Sequence, residues 1–321
     1  MTVEETKKKI VTALFNDGKC YKHKHNIFVG ANTTGKSNML ASIVKGLSDK
    51  SIPVYYICPW NRKIVNKRTE LQKTFKNLSV QSIVQTRLNE KFFNQDVFMD
   101  ELGTELVTNE LYMNTGYYTE LFQDFLCIAI GISNRGTDLV EEQEDLLEAN
   151  GKKFEELSDS QISMMRMLME INYAYEQKCN YVIIDEVDIN LDHINSSGFL
   201  EYLKRKYQEI CFIVSAHSLY TILGLNDYNV IKIVGKYFEK SESLCELYDS
   251  NDLDNVEIID KKLFADIYKI NKLDDDLGNY LRLVFAGEKI EKEELNCLIK
   301  NNKLSIRQQI VLDYLKKKLG E

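Results

Sequence analysis

Apolar residues recur along this chain in two rhythms. From Glu4 to Phe15, in NMLASIVKGL and in ISMMRMLMEINYAYEQ (Ile162–Gln177), they return at helical spacing. Each of these stretches can bury one side of a helix. In NIFVG, PVYYICP, YVIID and ICFIVSAHS they form short unbroken runs instead, which read as strands buried on both faces. VIKIV and SLCELY read as a later strand pair. Strands alternating with helices predict an α/β fold around a largely parallel sheet.

Between about Lys63 and Glu148 the pattern weakens, and the expectation is mostly helix. DLVEEQEDLLEANGKKFEEL is acidic and helix-like but has no sustained heptads, so a compact helical lobe is expected in place of a coiled-coil arm. From Asn255 to Glu321 the chain reads as helices. The expected division is therefore residues 1–254 as one α/β domain, interrupted by a helical lobe at about 77–156, and 255–321 as a helical C-terminal region. With only Pro53 and Pro59 as prolines, helices should be little interrupted.

Composition narrows the class. A chain of 321 residues with 44% hydrophobic and 28% charged residues is ordinary for a globular protein with an ample core. No apolar run approaches the ~20 residues of a membrane span. The start, MTVEETKKKIVTALF, lacks the pattern of a signal peptide, and a cytoplasmic protein with no membrane partner is expected. The seven cysteines are scattered and form no CxxC pair, which fits reduced thiols better than a disulfide framework or a zinc site. A net charge of -8 argues against indiscriminate coating of nucleic acid. Locally, NRKIVNKRTELQKTFK (Asn61–Lys76) carries six basic residues against one acid; it is either a solvated helix face or a contact for phosphates or an acidic partner.

Four motifs carry chemistry. VGANTTGKSNM (Val29–Met39) has the spacing of a phosphate-binding loop and sits between an expected strand and an expected helix. Gly30 and Gly35 permit turns that point backbone N–H groups at phosphate oxygens, and the helix that follows adds its dipole. Lys36 would neutralise the β- and γ-phosphates, and the Ser37 hydroxyl would ligate magnesium. In YVIIDEVD, Asp185 and Glu186 fall at the end of a buried strand, where ligands bind in open α/β sheets. Asp185 would hold a metal and Glu186 would polarise an attacking water. In FEELSDSQISMMRM, Ser158 and Gln161 form a capping box, so the segment is either simply a well-capped helix or one that presents its N-terminus to a phosphate. His217 follows a strand in FIVSAHS, a position that by itself suits a structural histidine.

Together these residues resemble the ABC-type ATPases, over roughly Asn26 to Val234. GANTTGKS is similar to the Walker A loop, LSDSQ to the signature motif, VIIDE to Walker B, NLDH (Asn190–His193) to the D-loop, and His217 to the switch histidine, all in the family's order. Asn38 in GKSN and the VYYICPWNR strand look most like the SMC/RecF/OLD branch. The resemblance implies a P-loop NTPase fold of the ABC-type head class, with ATP and Mg2+ as cofactors. It assigns nucleotide contacts to Gly30, Asn32, Thr33, Thr34, Gly35, Lys36, Ser37 and Asn38. Magnesium support falls to Ser37 and Asp185, general-base catalysis to Glu186, and γ-phosphate sensing to His217. Ser158, Ser160, Gln161 and Asp192 would contact the nucleotide or complete the site of an opposite subunit. Gln85, chosen over Gln81, is the Q-loop candidate for phosphate and metal. Asp159 and Ser160 stand in place of the signature's glycines, and the added negative charge bears on the speed of hydrolysis. Little chain precedes Gly30 for the strands that hold adenine in this family; Tyr21 is the aromatic candidate there.

One Walker A and one signature per chain imply an ATP-sandwiched homodimer or higher homo-oligomer that closes on ATP and opens on hydrolysis. Small OLD-like ATPases of this shape resemble sensor subunits of bacterial antiviral defence, so a separate effector such as a nuclease or toxin is an expected partner. LDDDLG (Leu273–Gly278) reads as a solvated turn and not as a Toprim nuclease centre. The alternative is a DNA-repair or recombination clamp of the RecF/SMC type with direct DNA contact. A transporter subunit and a scaffold that hydrolyses little are the remaining options.

Overall fold

The computed structural model describes residues 3–17, 21–30, 34–58, 64, 79–89, 110–135, 144–191, 193–234, 244–264, 276–285 and 306–318. Among the described residues, nine strands fall into two sheets. The larger has the order β2-β6-β7-β1-β8-β9, where β1 is His25–Val29, β2 Val54–Ile57, β6 Tyr181–Ile184, β7 Cys211–Ala216, β8 Tyr228–Val234 and β9 Leu244–Asp249. All its pairings are parallel except β8 with β9. Every residue of β1, β2, β6 and β7 is buried, as continuous apolar runs in a sheet covered on both faces should be. Helix α1 (Val3–Asp17) packs on α2 (Lys36–Ser48), and α2 in turn packs on β2 and β7. The strand pair read from VIKIV and SLCELY is present as β8 and β9.

The insert departs from the expected helical lobe. After α3 (Val80–Arg87), a helical turn at 110–113 and α4 (Thr115–Leu126), the chain forms an antiparallel sheet of β3 (Ile130–Arg135), β4 (Glu144–Ala149) and β5 (Lys152–Lys153). From Glu144, where its described part begins, the acidic stretch expected as helix is therefore strand and turn, ending in the single 3-10 turn Phe154–Glu156. The cause is local: Asn150 and Gly151 both take positive φ, 53° and 72°, and close a two-residue hairpin in which Ala149 pairs with Lys152. Asn-Gly is the strongest short hairpin signal, and it outweighs the helix preference of the flanking glutamates.

Helix α5 (Asp159–Glu176) carries a buried ion triad into the core. The Glu170 carboxylate accepts from Arg166 Nε at 2.6 Å and from an Arg87 guanidinium nitrogen at 2.7 Å. The Tyr55 hydroxyl is 3.2 Å from the same carboxylate, and Arg87 also donates to the Tyr56 carbonyl. After β6 come α6 (His193–Lys206), β7, the four-residue α7 (Leu219–Ile222) and, beyond β9, α8 (Val256–Ile259). The described parts of the C-terminal region are helical, as expected: α9 at 276–285 and α10 (Ile306–Lys318) pack together through Leu277, Leu312 and Leu315. Asp276 to Gly278, read as part of a turn, open α9. No helix among the described residues is long and apolar enough to cross a membrane.

His25 gives the fold a pH dependence. It is buried at the start of β1, stacked on Phe212 with Tyr228 beside it, and its Nδ1 accepts the Phe212 N–H at 3.2 Å. Burial, with some help from Lys24, pushes its pKa from 6.5 down to about 3. The unfolded chain therefore takes up the proton first. Stability is intact above about pH 6.5 and falls as the pH drops toward 3, by about 2 kcal/mol between pH 7 and pH 5 from this residue. Urea unfolding at both pH values should show that wild type loses about this much more than His25→Gln. Equal losses would contradict the assignment.

Candidate functional site

The carboxyl ends of three adjacent strands, β6, β7 and β1, bring four expected residues together. The loop after β1 begins at Gly30, where an added Cβ would stand 2.8 Å from the Ile233 carbonyl and 3.0 Å from Thr34 Oγ1, so only glycine fits. Gly35 caps α2 from the left-handed region, at φ 93°, a conformation open to glycine at little cost. Lys36, at the first position of α2, is 5% exposed, and its Nζ donates to the Gly30 carbonyl at 2.9 Å. The lysine thus ties the two ends of the loop. Thr34 is buried, Ser37 half-buried and Asn38 exposed on α2. Asn32, Thr33 and Asp192 lie outside the described residues.

Asp185 extends β6 by one ladder bond, its N–H to the Ile57 carbonyl at 2.9 Å. Its buried carboxylate accepts the Ser215 hydroxyl at 2.5 Å and is hydrogen-bonded by Ser37. Burial raises its pKa above the ordinary carboxylate value, although Ser215, Ser37 and Lys36 all favour the charged form. Glu186 follows with φ 49°, a left-handed conformation that costs a non-glycine residue about 1–2 kcal/mol. Its N–H is held by Ser215 Oγ at 2.7 Å. One serine hydroxyl therefore sets both acids, donating to Asp185 and accepting from Glu186.

His217 spans the cluster. Its Nδ1 lies 3.3 Å from Lys36 Nζ and its Nε2 lies 3.1 Å from Glu186 Oε1. A lysine ammonium can only donate, so Nδ1 accepts and Nε2 carries its hydrogen toward Glu186. Burial lowers the Lys36 pKa to about 8, against the pull of Asp185, Glu186 and Asp188. One cation among three carboxylates leaves the pocket net negative, with oxygen donors from Ser37 and Asp185 adjacent. That donor set fits magnesium, which takes one or two protein oxygens and completes its shell with phosphate and water. Among the described residues no group of three or more His, Cys, Asp or Glu could hold a metal unaided.

Other expected residues stand elsewhere. Ser158 and Gln161 form the capping box of α5: Gln161 N–H donates to Ser158 Oγ at 3.2 Å and Ser158 N–H to Gln161 Oε1 at 3.0 Å. Their described bonds are with each other and not with the Lys36 cluster. The Ser160 hydroxyl is shielded from solvent and without a hydrogen-bond partner among the described residues. Gln85 does not join the site. With Gln81, Lys45, Pro53, Val54 and Cys179 it lines a cleft of about 720 Å³ at the amino ends of β2 and β6, whereas the Lys36 cluster lies beyond the carboxyl ends. Tyr21 likewise precedes the amino end of β1 and is exposed. Two residues were missed. Ser215 was hidden inside an apolar strand run, where a lone hydroxyl two residues before His217 was the available signal. Asp188 lay within YVIIDEVD itself, and its carboxylate accepts from the N–H groups of His217 and Ser218.

Ser215→Ala would remove the Ser215 acceptor from the Glu186 N–H and one of the donors to the buried Asp185 carboxylate, which keeps Ser37 and Tyr56. A loss of about 1–3 kcal/mol in unfolding free energy is expected, read by urea titration; an unchanged midpoint would contradict the contacts.

No known family profile matches the chain, and no curated protein matches it. Solved structures do resemble it. An Smc head bound to the C-terminal winged-helix domain of ScpA has 13% identity and a TM-score of 0.38, over 72% of this chain and 92% of that one. The SMC head domain from Thermotoga maritima has 14% identity and a TM-score of 0.37, over 70% of this chain and 90% of that one. A structure from work on ATP-driven dimerization and DNA-stimulated activation of SMC ATPases has 13% identity and a TM-score of 0.34, over 49% and 94%. The chain has a P-loop NTPase fold. It has the largely parallel sheet, the loop bounded by Gly30 and Gly35 and tied by Lys36 between β1 and α2, and the acid pair at the end of β6.

Proposed function

We propose that the protein is an ABC-type ATPase of the SMC/RecF/OLD-like branch, which binds Mg-ATP, closes as a homodimer around it and hydrolyses it. The observation that carries this is the Lys36–His217–Glu186 chain built over Ser37 and Asp185 at the carboxyl ends of β1, β6 and β7. Lys36 exchanges its contacts for the β- and γ-phosphates. The half-exposed Glu186 takes a proton from the attacking water. His217, donating from Nε2, orients Glu186 and meets the γ-phosphate. Magnesium, when bound by Ser37 and Asp185, neutralises charge on the phosphate oxygens. The exposed N-terminus of α5, with Ser158 and the backbone of Ser160, would complete the site of the other subunit, as the order of motifs implies.

We further propose that closure licenses a separate effector, of nuclease or toxin type, in a bacterial antiviral defence system; support is the OLD-like motif order on a compact head with a helical C-terminal region. A DNA clamp is the second possibility, favoured by the six bases of Asn61–Lys76, which apart from Ile64 lie outside the described residues. Salt-dependent DNA affinity separates the two. The primary test is steady-state phosphate release with Lys36→Ala as control. A loss of ~100-fold or more in the variant is expected. Absence of Lys36-dependent turnover would leave a nucleotide-binding scaffold at most.

A further inference from the structure

His217 is useful only where its ring can reach Lys36 and Glu186 at once, yet the turn that carries it has little to hold itself. Its helix, α7, has four residues, far below the length at which a helix is stable alone. Asp188 supplies the missing constraint. Its Oδ2 accepts the His217 N–H at 2.8 Å, the Ser218 N–H at 2.7 Å and the Thr221 hydroxyl at 3.1 Å. Bonds of this kind, amide to carboxylate, are the strong ones. The Thr221 Oγ1 is also 3.1 Å from Ser196 Oγ on α6, and both residues are buried. Asp188 itself is fixed to the sheet, because the Val187 N–H donates to the Ser215 carbonyl at 2.9 Å. The acid pair and the histidine turn are thereby one unit. Glu186 and Asp188 leave the same loop, one aimed at the ring of His217 and the other at its backbone.

We propose that Asp188 is a positioning residue for ATP hydrolysis, acting through His217 by clasping the β7–α7 turn to the loop after β6. This rests on the ATPase assignment above. The described hydrogen bonds of Asp188 go to the histidine turn and not to the phosphate loop, so its loss should affect turnover far more than binding. A displacement of about 1 Å at a reacting group can cost ~100-fold.

The test uses the full chain and the variants Asp188→Ala, Asp188→Asn, His217→Ala and the Asp188→Ala/His217→Ala double. For Asp188→Ala, kcat should fall about 10- to 100-fold with KM for ATP within about 3-fold of wild type. Asp188→Asn keeps a side-chain oxygen to accept the two N–H groups and should recover to within about 5-fold of wild type. The double variant should be no slower than His217→Ala alone, since both changes break one unit. Hydrogen exchange of the peptide spanning 214–222, without nucleotide, should be at least ~10-fold faster in Asp188→Ala. A normal kcat in Asp188→Ala, or additive losses in the double, would overturn the proposal. No recovery in Asp188→Asn would assign the effect to charge and overturn the hydrogen-bond account. Unchanged exchange would remove the clasp itself, even in a protein without turnover. Absence of Lys36-dependent turnover in wild type is a separate result: it removes the ATPase assignment and the catalytic role of Asp188 with it.

Discussion

Replacing Glu186 with glutamine is expected to slow ATP turnover by about 100- to 1,000-fold while leaving ATP binding within a few-fold of wild type. The two side chains have the same shape, and the amide oxygen can still accept from His217 Nε2, which lies 3.1 Å from Glu186 Oε1. What is lost is the ability to take a proton. The loss should appear in kcat and hardly in KM, because Lys36, Ser37 and the loop are untouched. Single-turnover phosphate release with a parallel binding titration reads both. A variant within 10-fold of wild type would mean that another group removes the proton.

The second large effect is on stability. The Glu170 carboxylate pairs with both Arg87 and Arg166, and all three side chains are buried. Glu170→Ala would take this shared carboxylate from two guanidinium groups in the core, and a loss of about 3–5 kcal/mol is expected. Glu170→Gln retains an oxygen acceptor for one arginine and should lose less. Equilibrium urea unfolding measures both. A change under about 1 kcal/mol in Glu170→Ala would show that the triad is not holding α3, β2 and α5 together.

What could be seen in the sequence was set by how locally each feature is encoded. The strands of the parallel sheet were legible because burial on both faces demands unbroken apolar runs such as YVIID. The loop and the acids after β6 were legible because phosphate chemistry fixes residue types at short spacing. The three-stranded sheet was not, since glutamates flanking the hairpin outvoted the Asn150-Gly151 pair that makes it. Gln85 was misplaced for a geometric reason: nothing in a helix's own sequence tells which end of the sheet it lies against, and α3 packs at the amino end. Asp188 escaped notice because its partners are 29–33 residues away. Glu170 has Arg166 one helical turn before it, but the partners that make it a core group, Arg87 and Tyr55, are 83 and 115 residues away and leave no periodic trace. Ser158 was legible as a cap, and the cap is what forms.

ATP bound at the Lys36 loop should bridge two copies of this chain. The most direct measurement is the mass of Glu186→Gln in solution, by light scattering after gel filtration, with and without ATP and magnesium. The mass of Glu186→Gln should double with ATP and magnesium, and the Lys36→Ala/Glu186→Gln double variant should keep the mass of one copy under the same conditions. A mass unaffected by saturating ATP, or one that doubles in spite of Lys36→Ala, would contradict that bridge.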